Sequence, residues 1–321
     1  MTGLQTGLAV GILVLPTAAA AVDIDDLDVD VYGRLNLTLQ NSDEAIEEKV
    51  ELQNNASRIG VKGELSLKGD LKVVYQLEWG VDLDDQEDEA FTDRNQFVGL
   101  EGAFGTIKVG RHDTALKQAQ GGFDLFDDLE GDITKVFNGE NRLNDYIGYD
   151  TPTFAGAFAA TVNFFPGEDP AAGNDGVADA GSLSIKYEKD SAYAAVAYDR
   201  DVDGEDVETT RLVGGYTFGP ARVMLLYQLA DAGDVDEDGI GASVAWTFGD
   251  NVAKLQYLTA DIWRIDPQPD PLTNRLENLL SVGLDHKFGK STRLFGFYTT
   301  GDIGETNESN EYVAIGIEHN F

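Results

Sequence analysis

Apolar and polar residues alternate with a period of two along most of this chain. In the run Val29-Asp30-Val31-Tyr32-Gly33-Arg34-Leu35-Asn36-Leu37-Thr38-Leu39-Gln40, odd positions are apolar or Gly and even positions are polar or Tyr. A β-strand sends successive side chains to opposite faces, so each such segment offers one face to an apolar phase and the other to water. The same dyad recurs over residues 58–65, 71–79, 182–188, 210–218, 222–229, 240–248, 252–259 and 312–321. Weaker versions lie over 96–101, 106–111, 145–151, 157–165, 192–199, 279–288 and 292–300. The pattern predicts about sixteen strands.

The connections alternate in length. Short turns fall at Lys68-Gly69-Asp70, 102–105, Phe154-Ala155-Gly156, Lys189-Asp190-Ser191, Gly219-Pro220, Gly249-Asp250 and Gly289-Lys290. Long polar loops fall between them, at 41–55, 82–93, 112–144, 166–180, 200–208, 231–238, 261–276 and 301–310. Tight turns on one rim and long loops on the other are what an even-stranded antiparallel barrel in an outer membrane requires. Closure removes the sheet edges, whose unpaired backbone groups are costly in lipid.

Charge placement agrees with that reading. A cation on the lipid face near mid-depth costs roughly 2 to 4 kcal/mol, and Arg34, Arg58, Lys62, Lys72, Lys108, Lys186, Arg211, Arg222, Lys254, Lys287 and Arg293 all sit on the polar phase. Arg111 is the exception; it closes its strand, where a bulge or a loop start would re-aim it. Late strands end alike, in Tyr216-Thr217-Phe218-Gly219, Trp246-Thr247-Phe248-Gly249, His286-Lys287-Phe288-Gly289 and His319-Asn320-Phe321, as an aromatic girdle at the membrane interface would.

Composition narrows the alternatives. Hydrophobic residues make up 42% of the chain, but after the N-terminus no apolar run approaches the roughly 20 residues of a membrane helix. Residues 1–21, with the apolar stretch Leu4 to Leu15, Pro16 and the run Ala18 to Ala21, read as a secretory signal, although no Lys or Arg precedes the apolar stretch. Residues 22–321 are then the barrel. The absence of cysteine excludes a disulfide framework and thiol chemistry, and a formal charge of −35 disfavours nucleic acid as a partner.

With strand order and spacing in view, "VYGRLNLTLQ", "SRIGVKGELSLKGDLKVVYQLEWGVDL", "RNQFVGLEGAFGTIKVGRHD" and "YVAIGIEHNF" together resemble the general porins of Gram-negative bacteria. The resemblance covers essentially the whole mature chain. It implies an all-β, sixteen-stranded antiparallel transmembrane β-barrel in the outer membrane, with long external loops and a third loop that narrows the pore. It further implies a homotrimer latched through Val81 to Asp93, contact with lipid and lipopolysaccharide, and delivery by the barrel-assembly machinery through Phe321. The implied function is passive diffusion of ions and small hydrophilic solutes.

The longest connection, His112 to Asn144, is the loop expected inside the lumen, with Phe123, Phe126, Leu129, Ile133 and Phe137 pinning it to the wall. Its acids Asp113, Asp124, Asp127, Asp128 and Glu130, together with Asp132, are candidates for one side of a constriction. Arg34, Arg58, Lys62, Lys72 and Arg111 on the early strands are candidates for the other. Opposed charges across a narrow opening set up a transverse field that favours small polar solutes. The excess of acid predicts cation preference. No cofactor is expected. The segment Asp231 to Gly239 contains D-x-D-x-D-G, but its twelfth position is Ala245, which excludes an EF-hand and leaves loose Ca²⁺ or Mg²⁺ at the acidic external loops.

Catalysis finds no foothold, because His112, His286 and His319 are the only histidines and none stands near a serine in a recognisable arrangement. The alternative to a general pore is a channel selective for a sugar or another small nutrient. Its aromatic lining would have to come from Tyr32, Phe97, Tyr312 and the third loop.

Overall fold

The computed structural model describes residues 27–44, 47–84, 90–167, 176–233, 236–261, 276–303 and 308–321. The predicted signal segment 1–21 and the centre of the predicted latch lie outside these residues. β1 (Leu27–Glu44) pairs with β17 (Ser309–Asn320) on one side. On the other it pairs with β2 (Glu47–Asn54) along its outer half and β3 (Arg58–Ser66) along its inner half. β2 and β3 are thus one stave interrupted at Asn55-Ala56-Ser57, where Ala56 has φ of 49°, and the seventeen strand segments make sixteen staves.

The rest are hairpins in chain order: β4 (Lys72–Val81), β5 (Phe91–Gly102), β6 (Gly105–Asp113), β7 (Arg142–Asp150), β8 (Phe158–Phe165), β9 (Ala180–Lys189), β10 (Ala192–Arg200), β11 (Glu208–Phe218), β12 (Ala221–Asp231), β13 (Asp236–Phe248), β14 (Asn251–Ala260), β15 (Leu276–Phe288) and β16 (Thr292–Ile303). All pairings are antiparallel, and β17 returns to β1, closing the barrel. Phe321 extends the seam by exchanging two backbone hydrogen bonds of 3.0 Å with Gly33. At Gly219 and Gly249, with φ of 57° and 58°, two-residue turns demand the positive φ that glycine supplies most easily.

Two predicted loops are strands instead. Residues 41–44 and 47–54 continue β1 and form β2, paired from Leu37 opposite Asn54 to Glu44 opposite Glu47. The segment predicted as the loop 231–238 is a narrow hairpin in which Asp231 opposes Asp236; Asp234 lies outside the described residues. Leu52 on β2 still lies opposite Leu39 at the level of the apolar phase, but the tips of both extensions, Asp43 opposite Glu48 and Asp231 opposite Asp236, are polar. Water bathes both faces there, so polarity no longer marks which face is which.

The barrel is inverted relative to a soluble protein. Inward positions such as Asn36, Thr38, Gln40, Ser184, Arg211, Gln256 and Thr299 are buried and polar, while Val196 on β10 is 52% exposed and Ile315 on β17 is 66% exposed. Exposed Phe218, Trp246, Phe248, Phe288 and Phe321 ring the short-turn end. Val196 lies midway along β10, so Val196→Arg should destabilise the folded barrel by roughly 2–4 kcal/mol. Denaturant titration in lipid vesicles checks this, and an unshifted midpoint would contradict the assignment of the outer face.

The core that does exist is made by the third external loop, L3 (residues 114–141), which folds into the lumen. Phe123, Ile133 and Phe137 pack with Ala195, Ala197, Val213, Met224, Leu226 and Leu258 of the wall. Phe126 and Leu129 pack with Phe295, Phe297, Tyr312 and Ala314. All five residues predicted to pin the loop are buried.

Candidate functional site

An irregular segment inside a barrel must find partners for its backbone polar groups, and the polar inner wall supplies them. L3 begins with α1 (Ala115–Ala119), N-capped by Thr114. The Ala115 amide donates to Asn163 Oδ1 (2.6 Å) and that of Leu116 to Ser182 Oγ (3.1 Å). Farther along, Ser243 Oγ donates to the Phe123 carbonyl (2.7 Å). Gln256 accepts from the Leu125 amide (2.7 Å) and donates to the Gly131 carbonyl (2.9 Å). Gly241 leaves the space that the Phe123 ring enters.

The loop tip is knotted by its own acids. Asp124 accepts from the amides of Phe126 and Ile133 (both 2.9 Å) and from Gln256 Nε2 (3.0 Å). Asp132 accepts from the amides of Asp128 (2.7 Å) and Thr134 (2.8 Å). Burial, then the charge of Asp132, holds the Asp124 carboxyl well above the usual carboxylate range. One oxygen from each of Asp124, Asp127 and Asp132 lies within 4.8 Å of the others, but loop amides already occupy Asp124 and Asp132.

From this knot Asp128 reaches across to the early strands. Its Oδ2 accepts from Arg34 Nη2 and from Arg58 Nη2, the latter at 2.7 Å. Behind the pair, Arg34 donates to the Asn55 carbonyl (3.2 Å) and Arg58 to that of Ala56 (3.2 Å), so the break between β2 and β3 orients both guanidiniums. Glu78 binds Arg94 (2.7 Å) and lies 4.0 Å from Arg58. Arg142 bridges Asp113 (3.0 Å) and Asn95 (2.7 Å).

The predicted site residues therefore divide. Arg34, Arg58 and Asp128 are in contact, rather than opposed across a narrow opening as predicted. Asp113 stands with Arg142 at the root of L3. Asp127 keeps contact with solvent, although its carboxyl is the more enclosed part of the residue. Enclosure by surrounding protein, followed by the charges of Asp128 and Asp132, raises its carboxyl to about 6. Glu130 is buried against Lys135 (2.7 Å) and Gln40 (3.2 Å), and Asp124 serves the loop knot, so neither lines an opening.

Lys62 lies over the Tyr32 ring at 5.3 Å. Lys72 pairs with Glu64 (2.8 Å) beside the short turn that follows β3, away from the L3 acids. Arg111 occupies a bulge between Gly110 and His112 and donates to Asn144 Oδ1 (2.7 Å), not to an L3 carboxylate. The bulge leaves it on the phase of exposed Ile107 and Val109.

Sequence reasoning missed Arg94, Arg142, Glu78 and Glu318, the last of which binds Arg293 (2.8 Å) and lies 3.9 Å from Arg34. It placed Arg211 on the inner phase without assigning it a partner. Arg211 is fully buried. It bonds Glu140, the Asn138 carbonyl (3.0 Å) and Gln228 (2.8 Å), tying the returning limb of L3 to β11 and β12. The aromatic candidates for a selective path are each tied to a neighbour: Tyr32 donates to Glu78 (2.9 Å), Tyr312 donates to Glu44 (2.9 Å), and Phe97 lies against His112 at 5.1 Å.

Comparison with known proteins agrees with this fold. The family model described as Gram-negative porin matches residues 7–306. The chain is 26% identical to the major outer membrane protein P.IB of Neisseria meningitidis serogroup A, with 98% of each chain covered. Among solved structures, the anion-selective porin from Comamonas acidovorans superposes with a TM-score of 0.72 at 22% identity, over 92% of this chain and all of that one. The trimer form of Vibrio cholerae OmpT superposes with a TM-score of 0.67 at 16% identity, again over 92% of this chain and all of that one.

Proposed function

This chain belongs to the Gram-negative porin family and is an outer-membrane channel protein, and from that premise we propose that it is a general diffusion pore with a charge-paired eyelet and a preference for cations. The observation that carries this reading is the clasp of Asp128 on Arg34 and Arg58, which fixes the tip of L3 against the wall among charged groups. Near it, the guanidiniums of Arg34, Arg58, Arg94 and Arg142 are matched by the carboxylates of Asp113, Asp127, Asp128 and Glu78. A nearly neutral eyelet leaves the sign of selectivity to the rest of the chain, whose formal charge of −35 is concentrated in the external loops. That charge draws cations to the mouth.

The anion selectivity named for the Comamonas relative belongs to the same fold, so local charge rather than architecture sets the sign. The same family suggests a homotrimer, as in the OmpT trimer form. Outer loops of this acidity suit loose Ca²⁺ or Mg²⁺ bridges to lipopolysaccharide phosphates. The C-terminal strand ending in Phe321 suits recognition by the barrel-assembly machinery.

Planar-bilayer recording of the refolded protein tests the proposal. Conductance steps in threes, a reversal potential of cation sign and solute flux limited only by size are expected. Anion preference, or saturable block by one class of solute, would overturn it.

Selectivity should also follow pH. With its carboxyl raised to about 6, Asp127 is neutral below that pH and anionic above it, so cation preference should grow between about pH 5 and pH 7. Asp127→Asn should flatten that step. An unchanged pH profile in the variant would assign the titration to another group.

A further inference from the structure

The outer end of β10 holds a group that the eyelet does not use. Asp199 is 1% exposed, and its two carboxylate oxygens, without a closely made hydrogen bond, have the Ser182 hydroxyl opposite on β9 as their one side-chain donor. On β11, directly opposite, Thr209 is also 1% exposed and its hydroxyl is likewise without a partner. Both residues point inward beneath L3, where Gly139 lies over the Thr209 side chain. Asp203, in the loop between β10 and β11, adds a buried Oδ2 without a partner, while its Oδ1 accepts from Asn141 of L3 at 2.7 Å.

Asp203 and Glu140 act against a charge on Asp199, and Arg211 acts in its favour. The nearby cation, Arg211, is committed to Glu140, Gln228 and the Asn138 carbonyl. Neither Asp199 nor Asp203 therefore has a cation paired to it, in a place where an incompletely compensated charge is expensive. The unpartnered atoms are all oxygens, the donor set of a hard cation.

We propose that Asp199, Asp203 and Thr209 bind a divalent cation, calcium by preference, which fastens the returning limb of L3 to the wall through Asn141. The remaining coordination positions would fall to water, and calcium tolerates such an irregular set better than magnesium, which demands a near-ideal octahedron. The site is separate from the acidic hairpin at Asp231 to Gly239 and does not depend on the ion preference proposed above.

The test is calorimetric titration of the full chain, refolded in detergent and stripped with chelator, with CaCl₂. Thermal unfolding with and without the ion accompanies it. One saturable calcium per chain is expected, with a rise in unfolding temperature. Asp199→Asn should weaken binding by roughly 10-fold or more, since loss of even an outer-shell partner costs that much at metal sites, and should remove the calcium-dependent rise. Should that variant fail to refold, Asp203→Asn and Thr209→Val decide the matter. Thr209→Val keeps the side-chain shape and removes a single oxygen, so weaker binding in either variant supports the site. Only weak, multiple binding in the parent chain, or binding that the variants leave unchanged, would overturn it.

Discussion

Replacing Arg34 and Arg58 together by alanine should raise the permeability of K⁺ over Cl⁻ severalfold. The double change leaves Asp128, Asp127 and Glu78 facing the opening with only Arg94 and Arg142 to balance them. Unit charges about 4 Å apart interact by about 4 kcal/mol at an effective dielectric near 20. A shift of only about 1.4 kcal/mol in relative barrier height is a tenfold change in the ratio. Asp128→Asn should act in the opposite sense by releasing two guanidiniums into the lumen while keeping the side-chain shape. Reversal potentials in a KCl gradient measure both. Shifts of the same sign in the two variants would mean that the clasp does not border the conduction path.

The second large effect concerns Arg211. Arg211→Met should lower stability by about 3–5 kcal/mol, the usual cost of removing one partner from a buried ion pair. It leaves Glu140 enclosed without its counter-charge, and burial already holds that carboxyl above its ordinary range despite Arg211. The returning limb of L3 would loosen with it, because the same guanidinium holds the Asn138 carbonyl. Unfolding in detergent should shift to lower temperature, and single-channel current should become noisier. Adding Glu140→Gln should recover part of the loss, since an amide tolerates burial without a cation. A double variant as unstable as Arg211→Met would show that lost packing, not the stranded carboxylate, causes the effect.

Legibility in the sequence varied from feature to feature. Val196, Leu212 and Ile315 advertised their lipid-facing positions by alternation alone, and the final Phe321 marked the rim. L3 was visible as a long connection whose apolar residues had no strand to belong to, and Phe123, Phe126, Leu129, Ile133 and Phe137 are indeed its anchors. The outer half of β1 and all of β2 were not visible, because Val50 and Leu52 are the two apolar residues among the eight of β2, too few to stand out as an alternating strand. Arg111 broke the inner-phase pattern of the strand cations, and the bulge expected to re-aim it does not: opposite Gln96 it keeps the register of Ile107 and Val109 and stays on the outer phase.

What the sequence determined by itself is the medium that each side chain meets. That property is local: a strand has two faces, lipid rejects charge on one of them, and a few consecutive residues record the outcome. Which charges meet each other was decided only by the tertiary structure. Asp128 is separated from Arg34 and Arg58 by 94 and 70 residues, and Glu140 from Arg211 by 71. These pairs form because the sheet closes and L3 runs along the inner wall, anchored by amides, carbonyls and aromatic rings whose contacts no local period encodes.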